Sequence, residues 1–167
     1  SALPGRWPEI EDLSVSIAVS LGDVPEPGRF SIYLPTLVAT GSAVHVNAPF
    51  FGDMSRTSIS FEDAYNRQLL QTAGDLAVEV VRERLAGKGQ VEARAIIDVI
   101  SPLGNDQAAS SRWTQLMNES AERSKGSLDD EPLVLAEAGW RPLNMTSLVP
   151  DTSKTSFLTE DLLRKYA

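Results

Sequence analysis

The apolar residues change their period once, near residue 60, and that change limits the fold more than any other feature. Before it, they alternate. In "LSVSIAVSL" Leu13, Val15, Ile17, Val19 and Leu21 alternate with small residues, the pattern of a strand with one apolar face. The loop "GDVPEPG" interrupts the pattern with prolines and glycines. "RFSIYLP" resumes it at Phe30, Ile32 and Leu34, and Pro35 is expected to end this second strand. "TLVATGSA" reads as a loop, and "VHVNA" as a third strand through Val44, Val46 and Ala48. Consecutive strands joined by a short Pro/Gly loop are expected to be antiparallel neighbours.

After residue 60 the spacing becomes helical. Phe61, Tyr65, Leu69, Ala73, Leu76, Ala77 and Val80 share one face. Ser60 with Asp63 resembles a capping box, and Gly87 is the expected stop. "VEARAIIDVIS" is expected to form a second helix, with a strand as the competing reading because of its β-branched residues. "SSRWTQLMNESAERS" predicts a third helix with Trp113, Leu116 and Met117 on one side. "KGSLDDEP" reads as a linker, "LVLAEAGW" as a short strand or extended run, and "TEDLLRKYA" as a helix beginning at Thr159. The composition becomes looser and more polar near residue 105. Residues 1–105 are therefore expected to form an α/β domain, and residues 106–167 a helical and irregular extension. The expected class is α/β (α+β): a small sheet of mostly antiparallel strands packed on helices.

Charge narrows the partners. The formal net charge is −8, and no run of Lys or Arg offsets it. Direct nucleic-acid binding is not expected of such a surface. The chain has no cysteine, which excludes a disulfide framework, a thiol nucleophile and a thiolate metal site, and fits a cytoplasmic setting. No apolar run reaches the roughly 18 residues of a membrane span. The start, "SALPGRWPEI", has neither a basic segment nor an apolar signal core, and the chain is expected to be a piece of a longer protein.

Most catalytic constellations are missing. There is no G-x-x-x-x-G-K-[ST] loop and no strand-linked G-x-G-x-x-G. The chain has one histidine, so a multi-histidine metal site within it is impossible, and no G-x-S-x-G elbow accompanies His45. The carboxylates of Asp129 to Glu131 lie in the linker and those of Glu62-Asp63 at a helix start; solvated and capping roles are expected. His45 points to the face opposite Val44 and Val46. It reads as a half-buried strand histidine, with Asn47 on the same face able to hydrogen-bond its ring. Arg56 has two open readings: a surface salt bridge, or an anion contact to which the guanidinium fork is suited. Asn66 reads as a polar residue on the helix surface.

"RFSIYLPT", "VHVNAPFF", "SR" and "FEDAYNRQLL", in that order, resemble a run found just after the ATP-binding domain of sacsin-like, Hsp90-type ATPases, in the gyrase–Hsp90–histidine kinase–MutL (GHKL) group. The resemblance rests on Phe30 to Pro35, His45, Asn47, Phe50, Phe51, Arg56, Tyr65 and Asn66, and covers roughly half the chain. The nucleotide-binding signature of that group, an E-x-x-x-N helix with a following D-x-G-x-G, does not occur here: no D-x-G-x-G is present. The resemblance therefore implies a middle or transducer domain, like ribosomal protein S5 domain 2, with no complete active site. It implies no cofactor bound by this chain alone, ATP and magnesium in the parent protein, and an upstream ATPase domain of the same parent as partner. Within that group such a domain often reaches a basic residue toward the γ-phosphate, for which Arg56 is the first candidate and Lys88 the second. The rival expectation is an acidic α/β protein–protein interaction module that docks through residues 110–124 and 157–167.

Overall fold

The computed structural model of the chain describes residues 14–19, 25–55, 57–87, 96–136 and 139–146. Four strands come first: β1 (Ser16–Val19), β2 (Arg29–Ile32), β3 (Leu34–Ala39) and β4 (Val44–Asn47). Helix α1 (Ala64–Gly87) follows, then a helical turn at 96–100, then α2 (Gln107–Ser124). A 3₁₀ turn at Leu128–Asp130 leads to a two-stranded hairpin, β5 (Val134–Ala136) and β6 (Gly139–Arg141), and a second 3₁₀ turn at Leu143–Met145. The class is mixed α/β. No helix among the described residues is long and apolar enough to cross a membrane.

The main sheet has the order β1-β4-β2-β3. Its β1–β4 and β2–β3 pairs are antiparallel, and its central β2–β4 pair is parallel. The expectation that β1 and β2 would be neighbours is therefore corrected: β4 lies between them. The described part of β1 is shorter than the alternation had implied, and the flanking Leu13 and Leu21 lie outside the described residues.

A second correction concerns the region after residue 32. "RFSIYLP" is not one strand, and the first half of "TLVATGSA" is strand rather than loop. The chain reverses at Tyr33, whose φ of 61° lies in the left-handed region, uncommon for a side chain of that size. Its backbone N–H donates to Asn47 Oδ1 at 3.1 Å, which holds the bend against β4. Pro35 then lies inside β3 rather than ending a strand. An edge strand tolerates proline because half of its N–H groups need no ladder partner. The β2–β3 register shifts between Arg29 and Ser31. There the buried Thr36 hydroxyl donates to Phe30 O at 2.7 Å and accepts from Val38 N at 3.1 Å, supplying bonds the irregular ladder omits.

Alternation sorts the sheet into two faces. Phe30, Val44 and Val46 are buried against α1 residues Leu69, Ala73, Ala77 and Val81. α1 packs on α2 and on β1, and Trp113, Leu116, Met117 and Ala121 of α2 join the same cluster. That cluster draws on residues from both sides of position 105. Trp113 Nε1 donates to Val99 O at 2.8 Å, which ties the 96–100 turn, helical as expected where it is described, to α2. Residues 91–95 and 157–167, including the helix expected from Thr159, lie outside the described residues.

The helix start is also corrected. Ser60 does not cap α1. Asp63 does: its Oδ1 accepts from Tyr65 N at 2.9 Å and Asn66 N at 3.2 Å, satisfying two of the free N–H groups of the first turn. Ser60 O accepts from Asp63 N one turn earlier.

"KGSLDDEP" is anchored rather than solvated. Leu128 is buried. Arg82 of α1 reaches it with two guanidinium nitrogens and the end of α2 with the third. Nε pairs with Glu131 Oε1 at 2.6 Å, Nη2 donates to Gly126 O at 3.0 Å, and Nη1 donates to Ser124 Oγ. The pair is largely covered, with side-chain exposures of 14% and 24%, so removing one partner strands the other. Arg82→Met is expected to cost about 2–3 kcal/mol in chemical denaturation. Glu131→Gln, which keeps an acceptor for Nε, is expected to cost less than half of that. Equal losses for the two variants would contradict this role for the pair. The exposed Arg123–Asp75 bridge between the helices, 2.8 Å long, contributes far less.

Candidate functional site

Four of the residues carrying the resemblance, Phe50, Phe51, Tyr65 and Asn66, meet at one place, the joint where β4 gives way to α1. Asn66 is its centre. It is not a surface residue, as expected from sequence, but completely buried. Its Oδ1 accepts from Phe51 N at 2.7 Å, and its Nδ2 donates to Phe51 O at 2.8 Å and to Ser60 O at 2.9 Å. The amide thus pairs with the backbone of Phe51 as a neighbouring strand would, and also closes the turn before α1. Sequence periodicity holds a signal for this that the sequence reading passed over. Residue 66 lies four before Leu70 and seven before Ala73, on the buried stripe of α1, where a polar residue needs a partner.

Two aromatic groups flank the joint. Phe50 is buried edge-on against Phe30 at 5.5 Å and against Phe61 at 6.2 Å. Phe51 lies against Tyr65 with ring centroids 4.6 Å apart. Burial pushes the Tyr65 phenol above its ordinary range, and nearby Tyr33 adds to the shift. Arg112 of α2 sits over the Phe61 ring at 4.4 Å. Burial lowers its guanidinium from the usual value, and the Asp106 carboxylate opposes that.

The joint delivers a short loop to the surface. Gly52 and Ile59 form an antiparallel bridge at its neck. Asp53 organises the interior: it accepts from Thr57 N at 2.8 Å, Thr57 Oγ1 at 2.6 Å and Ser58 Oγ at 3.1 Å. The Thr57 hydroxyl is the main reason its carboxyl lies well below the ordinary range. Met54 at the tip is fully exposed. Arg56 belongs to this loop by sequence but lies outside the described residues, as does Lys88.

His45 and Asn47 sit on the outer face of the sheet, both half-buried. Asn47 Oδ1 accepts from Tyr33 N, and the hydrogen bond expected between Asn47 and the His45 ring is not formed. Ala18 lies across from His45 on β1. The four strands carry no carboxylate, and none of them can therefore supply the acid that would orient a histidine base. No group of three His, Asp or Glu residues suited to a metal ion occurs among the described residues.

Among the described residues, two clefts border the helices. One of about 730 Å³ is bordered by Asp75, Glu79, Arg82, Glu83, Arg123 and Lys125; its two arginines are already paired with Glu131 and Asp75. The other, about 540 Å³, runs along α2 past Ser110, Thr114, Asn118 and Glu122. Neither adjoins the β4–α1 joint. Comparison with models of known protein families, with curated proteins and with solved structures gave no match.

Proposed function

We propose that this chain is a non-catalytic, transducer-like domain of a larger Hsp90-type ATP-binding protein, with the S5 domain 2-like fold that the resemblance implies. It couples the nucleotide state of an upstream ATPase domain to a change in conformation. One observation carries the reading. Three residues of the resemblance, Phe51, Tyr65 and Asn66, hold a single joint, and the loop that joint presents is the one containing Arg56 by sequence. A cation held there would balance charge developing during phosphoryl transfer in the neighbouring domain.

Two measurements test it. Calorimetric titration of the chain with magnesium and ATP is expected to show no binding; a micromolar dissociation constant would sink the proposal. In the parent protein, Arg56→Ala is expected to slow ATP turnover by at least about tenfold while leaving the melting temperature unchanged. Unaltered turnover would remove Arg56 from the mechanism and leave Lys88 to be tested the same way.

A second reading, an acidic α/β interaction module with no link to ATP, is favoured by the absence of any acid from β1 to β4 in a chain of net charge −8. The two separate on the parent sequence. An E-x-x-x-N helix and a D-x-G-x-G turn upstream of residue 1 support the first, and a parent lacking both supports the second.

A further inference from the structure

The charge of this protein is unevenly placed. The chain has 23 acidic residues and a net charge of −8, yet β1 to β4 contain none of the acids. The only charged side chain on those strands is Arg29, and the only other titratable groups are His45 on β4 and, at the hairpin bend, Tyr33. The helices differ in carrying both signs: on α1 the exposed acids Asp75, Glu79 and Glu83 are interleaved with Arg67, Arg82 and Arg84.

Strand register brings the two basic residues together. β2 and β4 pair in parallel with Phe30 beside Val46 and Ser31 beside Asn47. The same register one step back sets Arg29 beside His45. Gly28 confirms the direction of that step, because a Cβ there would lie 2.0 Å from the Val44 carbonyl oxygen. Ala18 on β1 and Ala39 on β3 flank the pair, so no large side chain from either neighbouring strand shields it. Among the described residues, neither the Arg29 nor the His45 side chain has a hydrogen-bond or ion-pair partner.

The same side of the sheet is also apolar at its edge. Pro35 and Ala39 face outward while Thr36 and Val38 turn inward, which places Leu37 on the outer face. It is 69% exposed. At the hairpin bend Tyr33 is 74% exposed and Leu34 54%. An arginine beside exposed aromatic and aliphatic side chains, with no acid between them, is the composition of an interface centre.

We infer that the outer face of this sheet docks an acidic polypeptide segment that also carries aliphatic residues. Carboxylates of the segment pair with Arg29 and His45, and its apolar side chains cover Leu37. No acid on β1 to β4 opposes such a segment, whereas the exposed acids of α1 do, which favours this face over the helical one. The inference rests on the docking part of the proposed function and is independent of ATP, so the nucleotide titration and the present test fail separately.

The test is a titration of the isotope-labelled 167-residue chain with a synthetic Glu/Leu peptide, followed by backbone amide shifts. Shifts confined to 16–19, 29–39 and 44–47 are expected. Arg29→Glu and Leu37→Ser, both at exposed positions, should each weaken binding by about tenfold or more, with the amide fingerprint of α1 and α2 unchanged. The inference is overturned if the peptide shifts nothing, or if it shifts mainly helical residues. It is equally overturned if inorganic phosphate alone reproduces the shifts, which would mark a simple anion site, or if raising the protein concentration does, which would mark self-association.

Discussion

Replacing Gly41 with alanine is expected to cost about 4 kcal/mol or more of folding stability. Two penalties add. Gly41 has a φ of 89°, where a side chain costs about 1–2 kcal/mol. A Cβ there would also stand 2.3 Å from Ala109 C and Ser110 N and 2.4 Å from Ala109 O. These are backbone atoms of α2's first turn, and they have no rotamer to move into. The helix would have to retreat, and with it Leu103 N and Ser110 Oγ, which donate to Gly41 O at 2.8 Å and 3.3 Å. Gly126→Ala separates the two penalties. Its φ is 103°, but nothing lies within 4 Å of the added carbon. It is expected to lose about 1–2 kcal/mol, the conformational part alone. Chemical denaturation of both variants checks the argument; equal losses would mean that the approach of α2 to the β3–β4 turn is not tight.

That turn explains why α2 cannot simply yield. Thr40, Ser42 and Ala43 are all buried, unusual for a connection between strands, whose backbone groups ordinarily rely on water. Here hydroxyls replace the water. Thr40 Oγ1 donates to Val44 O at 2.8 Å, and Ser42 Oγ accepts from Val44 N at 3.1 Å. From sequence, "TGSA" reads correctly as a turn, because Thr, Gly and Ser are turn formers. Nothing local says that it is covered by a helix beginning more than sixty residues later.

The same distinction separates what was legible in the sequence from what was not. α1, α2 and the inward positions of β4 follow from spacing within one element, since a period of 3.6 or 2 decides which side chains share a face. The order of the strands depends on a parallel pairing between β2 and β4, for which no residue carries a local signal. β3 was hidden because Tyr33 and Pro35 are ordinarily read as the end of a strand. The bend at Tyr33 depends on Asn47, fourteen residues away, and Pro35 is permitted only because β3 lies at the sheet edge. Glu131 looked solvated within an acidic run, and its partner Arg82 is 49 residues distant. At the candidate site, residue types marked the right stretch of chain but not what each residue does: Asn47 and Asn66 hold backbone in place rather than facing solvent.

Asn66→Asp is expected to be nearly as damaging as the glycine change, at about 3–5 kcal/mol at neutral pH. The substitution preserves shape and one bond, the acceptance from Phe51 N. It removes both Nδ2 donations and places a carboxylate oxygen near the carbonyls of Phe51 and Ser60, at the 2.8 and 2.9 Å now spanned by hydrogen bonds. The site is fully buried, so the ionised form is disfavoured by desolvation and by both carbonyl dipoles. The folded-state pKa of the introduced carboxyl is therefore raised above its unfolded value of about 3.9. Stability is then greatest below that unfolded value and falls as pH rises through the interval up to the folded pKa. The protonated acid can also donate one of the two lost bonds. Asn66→Leu forfeits all three bonds but introduces no titrating group, so its loss is expected to be independent of pH. Denaturant midpoints of both variants between pH 4 and pH 8, each referred to the unsubstituted chain, provide the measurement. Parallel pH profiles for the two would mean that Asn66 does not hold Phe51 and Ser60 through a buried amide. A deficit for Asn66→Asp that grows as pH rises, with amide exchange at Phe51 accelerating alongside it, is the outcome that places this one side chain in control of the loop bearing Arg56.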